Sequence, residues 1–258
     1  CACLVGSEMC IRDRLTVLRD GKIIRTFEKA EFEAGAIRAS MIGRELQGDY
    51  YRSDFQASSQ PEVALDVRNL VYEDRLKGIS FQVHKGEIVG IGGLAHCGMH
   101  SLGKVCFGAL KPEEGSVTVE DGTIIDSPAI AMKKRVGYVS KDRDVESLCL
   151  NASIEDNISI AGMSEFAINN FLILKNREKK YVNHQIEELS IKCAGRDQSV
   201  SQLSGGNKQK VVFGKWIGCG SEILILDCPT RGVDIGVKQA MYPVSYTHLR
   251  AHETCADL

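Results

Sequence analysis

A Ser-Gly-Gly turn opens an amphipathic segment in the last quarter of the chain. The turn is Ser204, Gly205 and Gly206, and the segment runs from there to Trp216. Adjacent glycines let the backbone approach an anion closely, and the first N–H groups of a helix have no intrahelical partner. Such a helix start therefore favours a phosphate group, and Ser204 adds a hydroxyl donor. A serine-capped helix without a ligand explains these residues equally well when they are taken alone.

Two glycines upstream have the spacing of a phosphate-binding loop. In the general pattern, Gly, four residues, Gly, Lys and Ser or Thr cradle phosphates with backbone N–H groups, while the Lys reaches the outer oxygens and the hydroxyl holds Mg²⁺. Gly93 and Gly98 fit this spacing, but Met99 replaces the lysine and His100 the hydroxyl residue. The charge and the metal-binding hydroxyl are therefore missing. Both a weak ligand role for His100 and an ordinary histidine at a helix start remain open.

The motifs resemble, in order and spacing, those of the ATP-binding cassette (ABC) family. The Ser-Gly-Gly signature is followed by a short helical segment and by an apolar run, 222–226, that ends in Asp227. The variants Gly-Gly-Asn-Lys-Gln-Lys and Pro-Thr-Arg-Gly-Val-Asp further resemble the sugar-importer branch, whose ATPase carries two cassettes in one polypeptide. The resemblance covers nearly all of residues 15–242. Its signature residues are Leu203, Ser204, Gly205, Gly206, Asn207 and Gln209.

This resemblance implies an α/β fold, the P-loop NTPase fold of an ABC cassette. A mostly parallel core sheet, an antiparallel β subdomain and a helical insertion at about 154–200 belong to it. The alternation of strands and helices along the chain favours the same α/β class. In the family, the insertion contacts the membrane partner. The implied cofactors are ATP and Mg²⁺, with Asp227 near the cation through its water molecules.

The resemblance also assigns roles to the positions after two strands and in an interface loop, and some of these residues differ from those of the family. The residue after the strand's aspartate is normally Glu, which polarises the attacking water, whereas Cys228 is a poor base for water. The loop after strand 136–139 normally carries a Gln or Glu that senses the metal, whereas Lys141 only donates hydrogen bonds and cannot bind Mg²⁺. Asp142 either compensates for this change or belongs to a solvated charge run. Asp234 matches the aspartate of the family's interface loop.

These departures predict two unequal sites. Cassettes of this family bind ATP between the phosphate loop of one and the signature of another. The site that uses this chain's own phosphate loop lacks three chemical groups, so we expect weak nucleotide binding and little hydrolysis there. The intact signature is expected to complete the site of a first cassette in the same polypeptide. The other expected partners are transmembrane permease subunits and a periplasmic or lipoprotein sugar-binding protein, which implies a peripheral ATPase on the cytoplasmic face of the membrane.

The N-terminal part resembles the end of that first cassette. An Asp-Gly turn at Asp20 joins two apolar runs, which predicts a β-hairpin, and a helical stretch follows to Met41. We assign residues 15–49 to the first cassette, 50–61 to a polar linker and 62–242 to a truncated second cassette. A hairpin that belongs to the second domain is the alternative.

The two ends of the chain can be encoded by opposite strands of one DNA sequence. One frame gives Val244 to Ala256, and its reverse complement gives Cys1 to Asp13, with agreement at all thirteen positions. This shared stretch resembles a transposase sequencing adapter. We therefore expect residues 1–14 and 243–258 to be translated adapter rather than part of the fold.

Composition narrows the class of partner. Without residues 1–13 and 244–258, the 32 basic and 34 acidic residues fall to 30 of each, so the remaining segment is formally neutral. Neutrality argues against nucleic acid as a partner, because such binding favours a basic surface. The sequence contains no apolar run near the roughly 20 residues of a membrane span. Its six remaining cysteines lack a metal-binding spacing, and a reducing compartment is expected.

Two rival functions stay open. One is a cassette protein associated with nucleic acid in translation or repair, which salt-dependent binding of RNA or DNA would favour. The other is a nucleotide sensor in which both sites bind ATP and neither hydrolyses it. An intact lysine and catalytic glutamate in the upstream cassette would argue against the sensor.

Overall fold

A computed structural model describes residues 13–19, 21–42, 60–94, 96–168 and 172–230, and the architecture below refers to these ranges. The chain divides into two compact units, Cys1–Phe55 and Gln56–Leu258. The linker predicted at 50–61 and both predicted adapter ends lie wholly or almost wholly outside the described ranges. The predicted domain limits therefore stay predictions.

The smaller unit contains the hairpin that its Asp-Gly turn predicts. Strand β1, Arg14–Arg19, pairs antiparallel with β2, Lys22–Glu28. Between them Gly21 has a φ of 75°, a left-handed conformation that suits glycine. A 3₁₀ turn at Lys29–Glu31 then leads to helix α1, Ala34–Ile42. Among the described residues of this unit, Val17, Phe27 and Ile37 form a hydrophobic core.

The larger unit begins with a three-stranded antiparallel sheet. Strand β3, Val63–Tyr72, lies between β4, Leu76–His84, and β5, Glu114–Val119. The pairing register shifts within β3, and Asn69 there has a φ of 47°. Buried and more exposed side chains alternate at the start of β3, and the irregularity then turns Leu70 to the buried face. The buried side chains of β3 are Leu65, Val67 and Leu70.

A parallel strand pair carries the candidate site. Strands β6, Val136–Val139, and β9, Ile223–Leu226, lie side by side in parallel register. Helix α2, Met99–Cys106, contacts β9, and α3, Pro128–Lys133, precedes β6. Because the carboxyl ends of parallel strands meet at one edge of a sheet, the residues that follow both strands come together there.

The segment 87–91 differs from its prediction. Its apolar sequence predicts a strand, but the backbone there is irregular and Ile88, Val89 and Ile91 are exposed. A strand needs a neighbour for its backbone N–H and C=O groups, and none of the described residues pairs with this segment. The strand prediction is therefore wrong in this structure, and the parallel sheet within the described ranges has two strands.

The predicted helical insertion is helical with a small β element inside it. Helices α4, Ile154–Ser159, and α5, Met163–Phe166, come first, and α6, Lys175–Glu188, follows. A capping box joins Ser153 to Asp156 at the start of α4. The sequence did not predict the two-residue strands β7 and β8 between α5 and α6, which are Ala167–Ile168 and Leu172–Ile173. Among the described helices, none is both long and apolar enough to cross a membrane.

Helix α7, Gly205–Gly218, packs its apolar face against α4 and α6. Its end is joined to the parallel strands through an aromatic cluster. The ring of Phe107 stacks on Tyr138 at 5.5 Å and meets Trp216 edge-on at 5.6 Å between ring centroids. The helical spacing of the apolar residues predicts that Lys215 stays solvated. In the structure it is partly buried and donates to the backbone oxygen of Ser147 at 2.7 Å.

Gly115 and Gly122 form a matched pair for a test of the antiparallel sheet. Both have a positive φ, of 86° and 76°, but a Cβ on Gly115 would lie 2.3 Å from backbone oxygens of β3, whereas Gly122 has open space. We expect Gly122→Ala to lower the free energy of unfolding by about 1–2 kcal/mol. Gly115→Ala should cost roughly twice that or more, because the backbone must also move. Equal losses in chemical denaturation would contradict this packing.

Candidate functional site

The carboxylate of Asp227 lies at the centre of the candidate site. Asp227 directly follows β9, and its backbone N–H donates to the carbonyl oxygen of Val139 at 2.9 Å. Its side chain is only 8% exposed. One carboxylate oxygen accepts from the hydroxyl of Tyr138 at 3.2 Å, and the other lies 2.6 Å from Nδ1 of His100. Both oxygens of this buried group are thus hydrogen-bonded, as a buried charge requires.

His100 connects Asp227 to Lys141. The Lys141 ammonium lies 2.9 Å from Nε2 of the same imidazole ring whose Nδ1 faces Asp227. An ammonium group only donates, so Nε2 accepts and the ring proton resides on Nδ1. The imidazole is therefore neutral, and Nδ1–H donates to the carboxylate. Lys141, His100 and Asp227 form one continuous chain from an ammonium to a carboxylate.

Tyr138 is a member of this site that the sequence reasoning missed. The sequence predicts a buried strand at this position and indicates no polar role for Tyr138. Burial, followed by the charge of Asp227, raises the pKa of the Tyr138 hydroxyl, so the hydroxyl stays protonated and donates. The stacked ring of Phe107 holds it in position. A tyrosine near the end of a strand that pairs in parallel with the aspartate's strand was the available signal.

Cys228 stands beside this network in a constrained backbone. Its φ of 49° is left-handed, which is unusual for a residue with a side chain. The sulfur of Cys228, a ring nitrogen of His100 and a carboxylate oxygen of Asp227 lie within 4.8 Å of one another. Residues in such conformations cluster at functional sites.

The donor atoms of this site do not fit Mg²⁺. The ion takes six oxygen ligands in near-octahedral geometry, whereas the side chains here offer an imidazole nitrogen, a thiol sulfur and one carboxylate that already accepts two hydrogen bonds. The Lys141 ammonium next to His100 would also repel a cation.

The glycines of the phosphate loop are held by packing within the chain. Gly98 has a φ of 91°, and a Cβ there would lie 2.4 Å from the backbone oxygen of Arg75. A Cβ on Gly93 would lie 2.4 Å from the sulfur of Cys97. Met99 begins α2 immediately afterwards. The loop has the backbone of a tight turn, but the side chain of Met99 brings no charge to it.

A cleft of about 890 Å³ adjoins the site. The irregular segment 87–91 lines one side of it and the strand β9 another, with Met99, Asp227 and Cys228 also on its wall. Most of the lining is apolar side chain. The cleft therefore brings Met99 of the predicted phosphate loop and the predicted catalytic positions Asp227 and Cys228 to one cavity.

A π-helical turn after Lys141, Arg143–Ser147, connects α2 to α7. On one side Lys104 of α2 donates to Glu146 at 2.6 Å. On the other, Lys208 donates to Asp144 and Arg143 donates to Gln209, each at 3.3 Å. The backbone oxygen of Asp142 accepts the N–H groups of Val145 and Glu146 within this turn. The predicted sensor residues Lys141 and Asp142 thus lie directly beside a turn that is bonded to the signature helix.

The signature residues form the exposed N-terminus of α7. Ser204 is the N-cap, with a φ of −63° and a ψ of 155°, and its side chain is exposed. Its hydroxyl accepts from the Asn207 amide at 3.0 Å, and Asn207 in turn accepts the backbone N–H of Lys192 at 2.9 Å. Leu203 and Gly206 are buried and anchor the turn. Buried residues therefore fix the start of the helix, while Ser204 is exposed to solvent.

Gln209 is the most deeply buried polar signature residue. It is 2% exposed, and its Nε2 has no hydrogen-bond partner among the described residues. The predicted interface residue Asp234 lies outside the described ranges, so its role stays a prediction. The signature motif identifies Gln209 in the sequence but does not predict its burial.

Comparison with known proteins identifies the family. A family model described as "ABC transporter" matches residues 76–231, which is more than half of the chain. The chain belongs to the ABC transporter family. This ABC transporter chain is 37% identical over 235 residues to the ribose import ATP-binding protein RbsA of Clostridium tetani. It is 39% identical over 233 residues to RbsA of Streptococcus agalactiae serotype Ia.

These alignments cover 91% and 90% of the ABC chain but 46% of each relative. The chain thus spans about half the length of the curated relatives it matches. Among solved structures, the dimeric MJ0796, a bacterial ABC transporter cassette, matches with a TM-score of 0.60 at 18% identity, over 74% of this chain and 85% of that one. CbiO1 from Clostridium perfringens matches with a TM-score of 0.57 at 27% identity, over 72% and 74%. The predicted ABC-cassette fold is confirmed.

Cysteine reactivity tests the packing around α2 and β9. Burial raises the pKa of Cys106 to about 12, whereas Cys228 is exposed. At about pH 8 the thiolate fraction of Cys106 is on the order of 10⁻⁴, so iodoacetamide should modify Cys228 and leave Cys106 intact until denaturant is added. Peptide mass spectrometry measures both rates in one sample. Equal rates in the native protein would contradict the burial of Cys106.

Proposed function

We propose that this chain is part of the ATP-binding subunit of a monosaccharide importer, with ribose the sugar suggested by the names of its relatives. Membership of the ABC transporter family supports the coupling of ATP hydrolysis to transport. The relatives are named ribose import ATP-binding proteins and are about twice as long as the chain. That length is consistent with a tandem arrangement of two cassettes.

In this proposal the two nucleotide sites are unequal. The site formed by Gly93, Gly98, Met99 and His100 lacks the phosphate-binding lysine, and Cys228 stands at the position of the water-polarising glutamate. It binds nucleotide weakly and contributes little hydrolysis. The signature, by contrast, completes the working site in trans on a first cassette in the same polypeptide, where ATP and Mg²⁺ are bound.

The observation that carries this proposal is the contrast between two ends of the same domain. The Ser204 hydroxyl is exposed at a helix start that is held by Asn207, a geometry suited to an approaching phosphate. At the chain's own site, Asp227 is instead occupied by bonds from Tyr138 and His100. The signature is intact in a domain whose own catalytic centre is altered. This contrast favours a signature that acts at the nucleotide site of another cassette.

The remaining partners follow from the same proposal. The insertion at 154–200 contacts transmembrane permease subunits, and a periplasmic or lipoprotein sugar-binding protein delivers the sugar to them. The ATPase is then peripheral, on the cytoplasmic face of the membrane. Asp234 belongs to the interface with the first cassette.

The signature serine provides the main test. In the full-length protein with its permease, Ser204→Arg should lower transport-coupled ATPase activity roughly 10²-fold, because a bulky side chain at the helix start displaces the phosphate by an ångström or more. Ser201→Arg is a matched control, since Ser201 is also exposed and lies three residues earlier. Activity is measured as phosphate release during sugar uptake.

The asymmetry of the sites has its own comparison. Cys228→Ala should change the same activity far less than Ser204→Arg, because the site of Cys228 contributes little turnover. Equal losses from the two substitutions would reject unequal sites. Absence of hydrolysis in the unmodified protein would favour a nucleotide sensor, and salt-dependent binding of RNA or DNA would favour the nucleic-acid-associated alternative.

A further inference from the structure

Three residues from separate motifs of the sequence meet at one point of the structure. Two of them depart from the family pattern and one matches it. His100 stands where the phosphate-loop pattern has a hydroxyl, and Lys141 stands in the loop that senses the metal. Asp227 stands where a carboxylate would hold the cation's waters. In the structure they are bonded in series, at 2.9 Å from Lys141 to His100 and 2.6 Å from His100 to Asp227. The departures at 100 and 141 are therefore complementary to each other.

The imidazole explains why the two departures match. A hydroxyl at position 100 would be too short to join the ammonium of Lys141 to the carboxylate of Asp227. The neutral imidazole accepts on Nε2 and donates from Nδ1. It therefore bridges the ammonium of Lys141 and the carboxylate of Asp227, which do not contact each other through this ring. Lys141 thus gains a fixed position at the edge of the site and Asp227 gains a positive partner. The charge of the carboxylate is balanced without a metal ion.

We propose that this cassette's own site takes the phosphates of a nucleotide without a divalent cation, with the Lys141 ammonium in the role of the metal. The proposal rests on the proposed function to the extent that a nucleotide reaches this site. Lys141 has three N–H donors, and its bond to His100 needs one. The others are suited to phosphate oxygens, which lysine binds as a point charge. Lys141 is only partly buried, so a ligand can reach it.

The surrounding groups support this assignment. Both oxygens of Asp227 already accept hydrogen bonds, from His100 and Tyr138, and so have reduced capacity to orient a cation's waters. A metal ion beside Lys141 would meet a like charge at short distance. An ammonium that also replaces the lysine lost at Met99 would restore one positive charge to the phosphate site.

Protection of Cys228 from alkylation measures binding at this site specifically. Cys228 is exposed, and its sulfur lies within 4.8 Å of ligand atoms of His100 and Asp227. The full-length protein is treated with iodoacetamide over a series of ATP concentrations, in Mg²⁺ and in EDTA. The experiment uses the Ser204→Arg background, in which closure around the other site is blocked. Peptide mass spectrometry gives the rate at Cys228, while an unmodified Cys106 in the same sample reports that the domain remains folded.

We expect ATP to protect Cys228 at the same concentration in EDTA and in Mg²⁺. Lys141→Gln should raise the ATP concentration needed in EDTA about ten- to a hundredfold, because a charge-assisted hydrogen bond to phosphate is lost. Lys141→Arg keeps the charge and should retain most of the protection in EDTA. Both variants leave Cys106 buried, so a loss of protection with Cys106 unmodified is a loss of binding.

Several outcomes would overturn the proposal. Protection that requires Mg²⁺ would show a metal site, and equal protection in Lys141→Gln would remove the role of Lys141. Failure of ATP to protect Cys228 under either condition would show that the site does not bind it. That last result leaves the proposed function intact if Ser204→Arg alone abolishes activity. Conversely, unchanged ATPase activity in Ser204→Arg would reject the proposal that the signature completes a working site in trans. That result would not contradict metal-independent protection of Cys228.

Discussion

The buried carboxylate of Asp227 is the constraint on which the rest of the site depends. A charge with so little exposure is costly unless it is paired and hydrogen-bonded, and the chain meets that requirement with Tyr138 and, through His100, with Lys141. These partners come from β6, α2 and the loop after β6. The packing of those elements against β9 is therefore what keeps the carboxylate stable, and an internal charge pair stands where a metal site would otherwise lie.

The same region is connected to the signature helix over a short distance. Two residues after Lys141 the chain enters the turn Arg143–Ser147, which is bonded to α2 through Glu146 and to α7 through Asp144. Lys215 of α7 donates to the end of this turn, and burial lowers the pKa of its ammonium. The turn is thus bonded to both helices whose N-termini carry the nucleotide motifs. This arrangement gives the proposed asymmetric pair of sites a common structural support.

Local patterns predicted much of the fold. The Asp-Gly turn predicted the first hairpin, and motif spacing located α7 and the strand that ends at Asp227, because turn chemistry and apolar periodicity act over a few residues. The segment 87–91 was predicted wrongly, since an apolar run forms a strand only where a neighbour accepts its backbone hydrogen bonds. Lys215 was likewise predicted to be solvated, because helical periodicity cannot show which turn packs over a lysine stem.

The sequence by itself determined which chemical groups are present: a signature with Ser204, a carboxylate at Asp227, and a phosphate loop without its lysine and hydroxyl. It also identified each substitution as a loss of a known group. Only the tertiary structure decided that His100, Lys141 and Asp227 compensate one another, and that Tyr138 joins them. These partners lie 41 to 127 residues apart in the chain. Hydrogen bonding depends on distances of about 3 Å that only the packing of separate elements can set.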